Sequence, residues 1–374
     1  MALMWWKRLP GIALAATIAV LGKWLAASLS LNMARLSGLD ASGKDAHNLV
    51  SGIAVAVVLG LIWRNLAGLA AVFRPGVAFM VKTGLRIGIV LLGFKLALGT
   101  AGRITSIALP VAAACILTAL SVVTYLNDRL GLPRKLGALI AVGTSVCGIT
   151  AIVATGPAIG ASEDETSYAV ACITIFGMLA LFAYPWVAHV AFGSNSLLAG
   201  IFLGTSIPDT SQVAGASLVY QEAFGAPLAV QAATVAKLLR NMSMAVLIPL
   251  VATRFRTDRR TLTFRDVQTA VPMFVLAFVA AVVLRTVGDA VAARGSMLGV
   301  AEPWVVTAWT TFLDGSAMVS AWALAAALAG IGLITELARL RGLGWKPLLV
   351  GLVAALWVGI VSAVSLLAVA IQIR

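Results

Sequence analysis

Acid is scarce in this chain. Its 374 residues hold 14 Asp and Glu against 27 Lys and Arg, and only 11% of the whole is charged. A soluble domain carries about 25% charged residues, so a chain this poor in charge is not built to face water. Histidine is scarcer still, with His47 and His189 alone. An intramembrane enzyme would need a nucleophile with a base, or paired catalytic aspartates. Neither histidine falls near the depth of Ser145, and Asp209 and Asp314 lack a matching motif. The three cysteines, Cys115, Cys147 and Cys172, lie in apolar runs without the spacing of a metal site or disulfide framework. No stretch is long enough for a soluble catalytic domain. The expectation is therefore a non-enzyme with no metal site.

What is present is apolar surface, 61% of the residues, which defines an all-α membrane protein. A net charge of +13 would suggest nucleic acid in a soluble protein; here topology explains it. Apolar runs of about 18 residues or more fall at 10–28, 47–62, 77–98, 105–126, 136–159, 168–190, 197–220, 228–252, 270–288, 305–334 and 347–372. That is eleven spans within a single domain, 1–374. The start of the chain, basic and without a cleavage site, reads as an uncleaved first helix. Fifteen bases then fall on one side: Lys7, Arg8, Arg64, Arg74, Arg129, Arg134, Lys135, Arg254, Arg256, Arg259, Arg260, Arg265, Arg339, Arg341 and Lys346. Five fall on the other: Arg35, Lys44, Arg103, Arg294 and Arg374. The positive-inside rule places the N-terminus in the cytoplasm and the C-terminus outside, with the acidic run Glu163-Asp164-Glu165 also outside. Trp5, Trp6, Trp63, Trp186, Trp304 and Trp345 sit near span ends as interfacial anchors.

Three spans contain polar interruptions. Leu136 to Ile159 has Gly143-Thr144-Ser145-Val146-Cys147-Gly148 at its centre. Leu203-Gly204-Thr205-Ser206-Ile207-Pro208-Asp209 is a second stretch of similar kind, and Asp314-Gly315-Ser316 divides 305–334. Such residues suit helices that stop and restart in the membrane, freeing backbone groups for a polar cargo. Close packing of a neighbouring helix is the competing reading of the first stretch. Basic pairs lie inside two further spans, Lys82 with Arg86 and Lys237 with Arg240. Charge at that depth faces protein or a water-filled cavity. The pairs suggest one extra helix followed by two five-span units, 47–190 and 197–372, of opposite orientation, as in many secondary transporters.

The segments VGTSVCGITAIVATGPAI (142–159), YAVACITIFGMLALFAYP (168–185), LGTSIPDTSQVAGAS (203–217), AATVAKLLRNMSMAVLIPLVA (232–252) and LGWKPLLVGL (343–352) resemble the YeiH-type family of proposed sulfate exporters. That resemblance implies a multi-spanning carrier of the bacterial inner membrane, with sulfate or a related sulfur oxyanion as substrate and no cofactor. It departs from the family pattern at Pro208-Asp209, where relatives often carry His-Glu, and at Gly156. An oxyanion needs donors in place of its water shell. Thr144, Ser145, Cys147 and Gly148, with Thr205, Ser206 and Gln212, are the candidate donors around the two breaks; Lys82, Arg86, Lys237 and Arg240 would supply positive charge. The same cations could instead form structural ion pairs with Asp209 and Asp314. Those two acids are the candidates for proton or sodium coupling. The expected partners are the lipid bilayer, the small anion and a second copy of the chain in a homodimer, with no nucleic acid. A cation-coupled importer of organic anions and an anion channel are the alternatives.

Overall fold

The computed structural model describes residues 6–36, 50–255, 272–297, 303–340 and 344–373. Of the residues named above, Trp5, Lys44, His47, Arg256, Arg259, Arg260, Arg265, Arg341 and Arg374 lie outside the described residues. The helices are α1 (Leu9–Leu36), α2 (Gly52–Leu66), α3 (Arg74–Lys95), α4 (Leu98–Arg129), α5 (Arg134–Ser145), α6 (Ile149–Ile159), α7 (Glu163–Phe192), α8 (Ser196–Ser206), α9 (Thr210–Phe224), α10 (Pro227–Met242), α11 (Met244–Phe255), α12 (Met273–Met297), α13 (Pro303–Ile334) and α14 (Trp345–Ile373). Eight helical stretches among the described residues are long and apolar enough to cross a bilayer; α10 and α11 together count as one of them.

The helices form two compact units. One gathers α1, α2, α3, α12 and α13. In it, α2 lies against α13 through small residues: a methyl on Gly60 would meet the Ala329 carbonyl at 2.5 Å. Arg64 and Glu336 close the end of this contact at 3.0 Å. The expected break at Asp314-Gly315-Ser316 is corrected, since α13 is one uninterrupted helix of 32 residues. The Ser316 hydroxyl returns to the Leu313 carbonyl at 2.8 Å, so the polar residues are absorbed within the helix. Instead α3 departs from α geometry, with a π-turn at Met80–Gly84.

The other unit holds α4 beyond Ile104, α5 to α11, and α14. Here the expectation of spans through 136–159 and 197–220 is corrected. Pro133 opens α5 and Ser145 ends it after 12 residues; α6 runs 11 residues to Gly160, a left-handed C-cap at φ 62°. The Lys135 ammonium at the beginning of α5 donates to the Gly160 carbonyl beyond the end of α6, at 2.6 Å. The chain thus goes in and comes back. At 1.5 Å per residue each limb reaches about 18 Å, roughly half the hydrocarbon thickness. α8 and α9 do likewise, for the Tyr220 hydroxyl near the end of α9 donates to the Gly193 carbonyl ahead of α8, at 3.3 Å. Both segments are re-entrant helical hairpins.

The 30-residue α7 separates them. It starts on a capping box in which Ser162 and Glu165 satisfy each other's backbone N–H groups. The acidic run is therefore a helix start beside the first hairpin's open end. Because the hairpins open at opposite ends of α7, they enter from opposite directions and their tips meet. The sequence carries the same relation: Gly143-Thr144-Ser145 recurs as Gly204-Thr205-Ser206, and the same offset takes Ile149, first in α6, to Thr210, first in α9. The repeat visible here is a hairpin followed by a further helix, and it is separate from the pairing of Lys82/Arg86 with Lys237/Arg240. The first pair is exposed and the second buried.

Candidate functional site

The site begins with a problem of unpaired carbonyls. A helix ends with four carbonyls that have no partner and with the negative end of its dipole. Two helices, α5 and α8, end in this way inside the protein. Lys237 and Arg240, one turn apart on α10, are 1% and 0% exposed and face both ends. The Lys237 ammonium donates to Val146 O at 2.6 Å, to Ile207 O at 3.2 Å and to Pro208 O. The Arg240 guanidinium donates from Nε to Ser145 O at 3.1 Å, from Nη1 to Thr205 O and Ile207 O, and from Nη2 to Thr144 O. A buried charge without partners is strongly unfavourable, as is a buried carbonyl without a donor; here each satisfies the other.

α10 can approach both ends because α8 presents glycine to it. A methyl on Gly204 would run into the Ala233 carbonyl, and one on Gly200 into that of Ala229. Close backbone approach by small residues is how membrane helices gain contact where lipid supplies no hydrophobic drive.

This arrangement corrects the role expected of the two cations. All three Lys237 donors are engaged by the chain, and Arg240 binds four carbonyls. They hold the hairpin tips together and leave little for direct contact with a cargo. Several hydroxyls are likewise occupied. Thr144 donates to Ile140 O at 2.8 Å, Ser206 to Phe202 O at 2.6 Å, and Thr205 shares a 2.7 Å bond with Ser362. Gln212 reaches Thr174 O from the start of α9, and the Cys147 thiol donates to the Met244 sulfur. Ser145 Oγ and Gln212 Oε1 are buried without a partner. Lys82, Arg86 and Asp314 belong to the other unit and are exposed there; Arg86 lies over the Phe274 ring, 5.5 Å from its centre.

The opposite ends of the limbs look different. α6 opens on Gly148 at φ 66°, a conformation that needs glycine and brings no side chain to cap the helix; the Cys147 sulfur meets the Ala151 N–H. Its first N–H groups, at Ile149 and Thr150, have no helical carbonyl to meet. Across from it, the Asp209 carboxylate takes the Ser211 N–H at 2.9 Å and the Ser211 hydroxyl, capping α9. A Cβ built on Gly148 would lie 3.2 Å from Asp209 Oδ2. Asn241 on α10 donates to the Thr210 hydroxyl at 3.2 Å. The Ser243 hydroxyl, just past α10, returns to Arg240 O at 2.6 Å; Thr150 is exposed, and Asp209, Thr210, Ser211 and Ser243 are half-buried. Sequence reasoning included Gly148 and Asp209 but missed Thr150, Thr210, Ser211, Asn241 and Ser243. The signal was present in Asp209-Thr210-Ser211, an N-cap pattern directly after a proline.

Two helical hairpins whose tips meet, in a chain whose other helices are mostly long and apolar, define a polytopic membrane protein with broken helices. The chain belongs to the family described as conserved hypothetical protein 698, whose model matches residues 10–351. It is 28% identical to a UPF0324 membrane protein of Nitratidesulfovibrio vulgaris, covering 97% of this chain and 93% of the relative. It is also 28% identical to a UPF0324 membrane protein of Fusobacterium nucleatum, over 84% and 90%. Identity is 27% with the UPF0324 inner membrane protein YeiH of Escherichia coli, over 94% and 91%. A solved sodium proton antiporter, MjNhaP1 from Methanocaldococcus jannaschii, covers 95% of this chain and 98% of its own at 14% identity, but with a TM-score of 0.25 it carries no argument.

Proposed function

We propose that the protein is a secondary transporter of the bacterial inner membrane that exports a small anion, sulfate or a related sulfur oxyanion, by alternating access. The observation that carries this reading is the start of α6 at the hairpin tips, where the N-cap is a glycine and the N–H groups of Ile149 and Thr150 have no helical partner, with the exposed Thr150 beside it. Free N–H groups and the positive end of a helix dipole replace an oxyanion's hydration shell. Substrate contact passes from the cations to these groups, while Lys237 and Arg240 keep the two tips as one body that can move relative to its surroundings.

The N-terminus is cytoplasmic and the C-terminus periplasmic in this reading, because a re-entrant hairpin returns the chain to the side it left. The distribution of bases is then unchanged, while Glu163-Asp164-Glu165 moves to the cytoplasmic face. A channel would need a continuous polar pore, whereas the tips are cross-linked by two buried cations. A cation-coupled importer of organic anions is the second reading, favoured by the carboxylate of Asp209 beside the α6 start. Flux of labelled sulfate, sulfite and taurine into proteoliposomes under imposed sodium and proton gradients decides between them. Movement of none of the three anions would end the export reading.

A further inference from the structure

Asn241 is 2% exposed, yet its Oδ1 has no hydrogen-bond partner. The other half of its amide is fixed on the Thr210 hydroxyl, which directs the side chain at the start of α9. A buried amide oxygen without a donor calls for an explanation. Thr210 directly follows Asp209, whose Oδ1 serves Ser211 while its Oδ2 faces Gly148. The groups that interact electrostatically around this point are Lys237 on α10, Cys147 on the facing tip and Arg240 behind them. Both cations are bonded to carbonyls, and among the described residues no ion pair joins either to Asp209. The start of α9 thus carries the Asp209 carboxylate and the Thr210 hydroxyl, and Asn241, bonded to that hydroxyl, brings an unpartnered amide oxygen.

We propose that Asp209, Thr210 and Asn241 form a site for a small hard monovalent cation, a proton or sodium, and that filling it opens the start of α6 to the transported anion. The second half rests on the export reading; the first does not. An anion would be repelled by the carboxylate, whereas a sodium ion can take all three oxygens as ligands and a proton neutralises the carboxylate and gives it one O–H to donate. The link to α6 follows from the position of Asp209 against Gly148. When ionised, the carboxylate occupies the same positive helix end that an oxyanion would use, and so acts as a tethered competitor. Neutralising it removes that competitor. Linkage then requires the anion to strengthen cation binding by the same factor.

The test uses the purified full-length protein and reads its thermal unfolding midpoint. Sodium chloride is titrated against choline chloride at constant pH, and pH is varied at constant sodium, each with and without sulfate or thiosulfate. The wild type should be stabilised by one of the two cations, as any ligand of the folded state stabilises it. Anion affinity should rise by about tenfold between empty and filled cation sites, within the usual range of coupling. Asp209→Asn keeps the α9 cap, since Asn caps as well as Asp. It should lose the cation response and bind anion at one affinity under all conditions. Thr210→Val and Asn241→Leu should weaken the cation response, and the valine, nearly the same shape as threonine, guards against misfolding of the leucine variant. A wild type indifferent to both sodium and pH, or an Asp209→Asn protein that still responds, overturns the proposal. A cation response without any effect of either anion leaves the cation site standing and removes the export reading.

Discussion

The Lys135 ammonium and the Gly160 carbonyl lie 2.6 Å apart, although 24 residues of apolar chain run between them. That one bond shows that the stretch is a hairpin. It also makes a prediction about sidedness. Cysteines placed at Gly131 and Ala161 should be labelled by an impermeant thiol reagent from the same side, the cytoplasm. Cysteines at Ser194 and Gly225 should both be labelled from the periplasm. The native cysteines are buried and give little background. Labelling of positions 131 and 161 from opposite faces would restore the spanning helix.

Removing the Lys237 ammonium leaves the Val146 and Pro208 carbonyls without donors, while Ile207 O keeps Arg240 Nη1. Each such group costs about 1–3 kcal/mol, so Lys237→Ala should lower the thermal midpoint sharply. The vacated space is a carbonyl-lined cage of one positive charge, and ammonium chloride should recover part of the loss where choline chloride does not. Equal recovery by both salts would assign the loss to packing.

Arg240→Gln should act on folding rather than on turnover. A glutamine amide cannot satisfy carbonyls of both α5 and α8, so protein yield and unfolding midpoint should fall together. Normal yield with abolished flux would return Arg240 to direct anion contact.

Gly148→Ala should be tolerated poorly for two separate reasons. Its φ of 66° strains an L-residue by roughly 1–2 kcal/mol, and the added methyl would press on the Asp209 side chain at 3.1 Å. Reduced anion flux together with a modest loss of stability is the expected result, measured in proteoliposomes and by thermal unfolding. A variant with wild-type flux would take the start of α6 out of the pathway.

Composition and hydropathy identified the helical membrane class, and the glycine-hydroxyl stretches located both hairpin tips. What hydropathy cannot register is direction. A hairpin of two short limbs and a single tilted span have the same length and the same apolar content. Each hairpin also changes the count of crossings without moving any base to the wrong side. Only Glu163-Asp164-Glu165 changes sides, and acidic residues weigh little in topology. The role of Lys237 and Arg240 was hidden for a different reason. Their partners are main-chain carbonyls, which every residue has, so no motif announces them. Asp314 misled in the opposite way, since a Gly-Ser step after an acid reads as a break, while α13 passes through it.

One consequence concerns how the protein is made. The carbonyls of Thr144 and Ser145 wait for donors that sit almost a hundred residues later, on α10. Ribosomes deliver the first hairpin long before its seal exists. Until α10 emerges, that hairpin must shelter somewhere other than naked lipid, whether in the insertion machinery or against water. Assembly of this half of the molecule therefore follows a fixed order, with the first hairpin settling into place last.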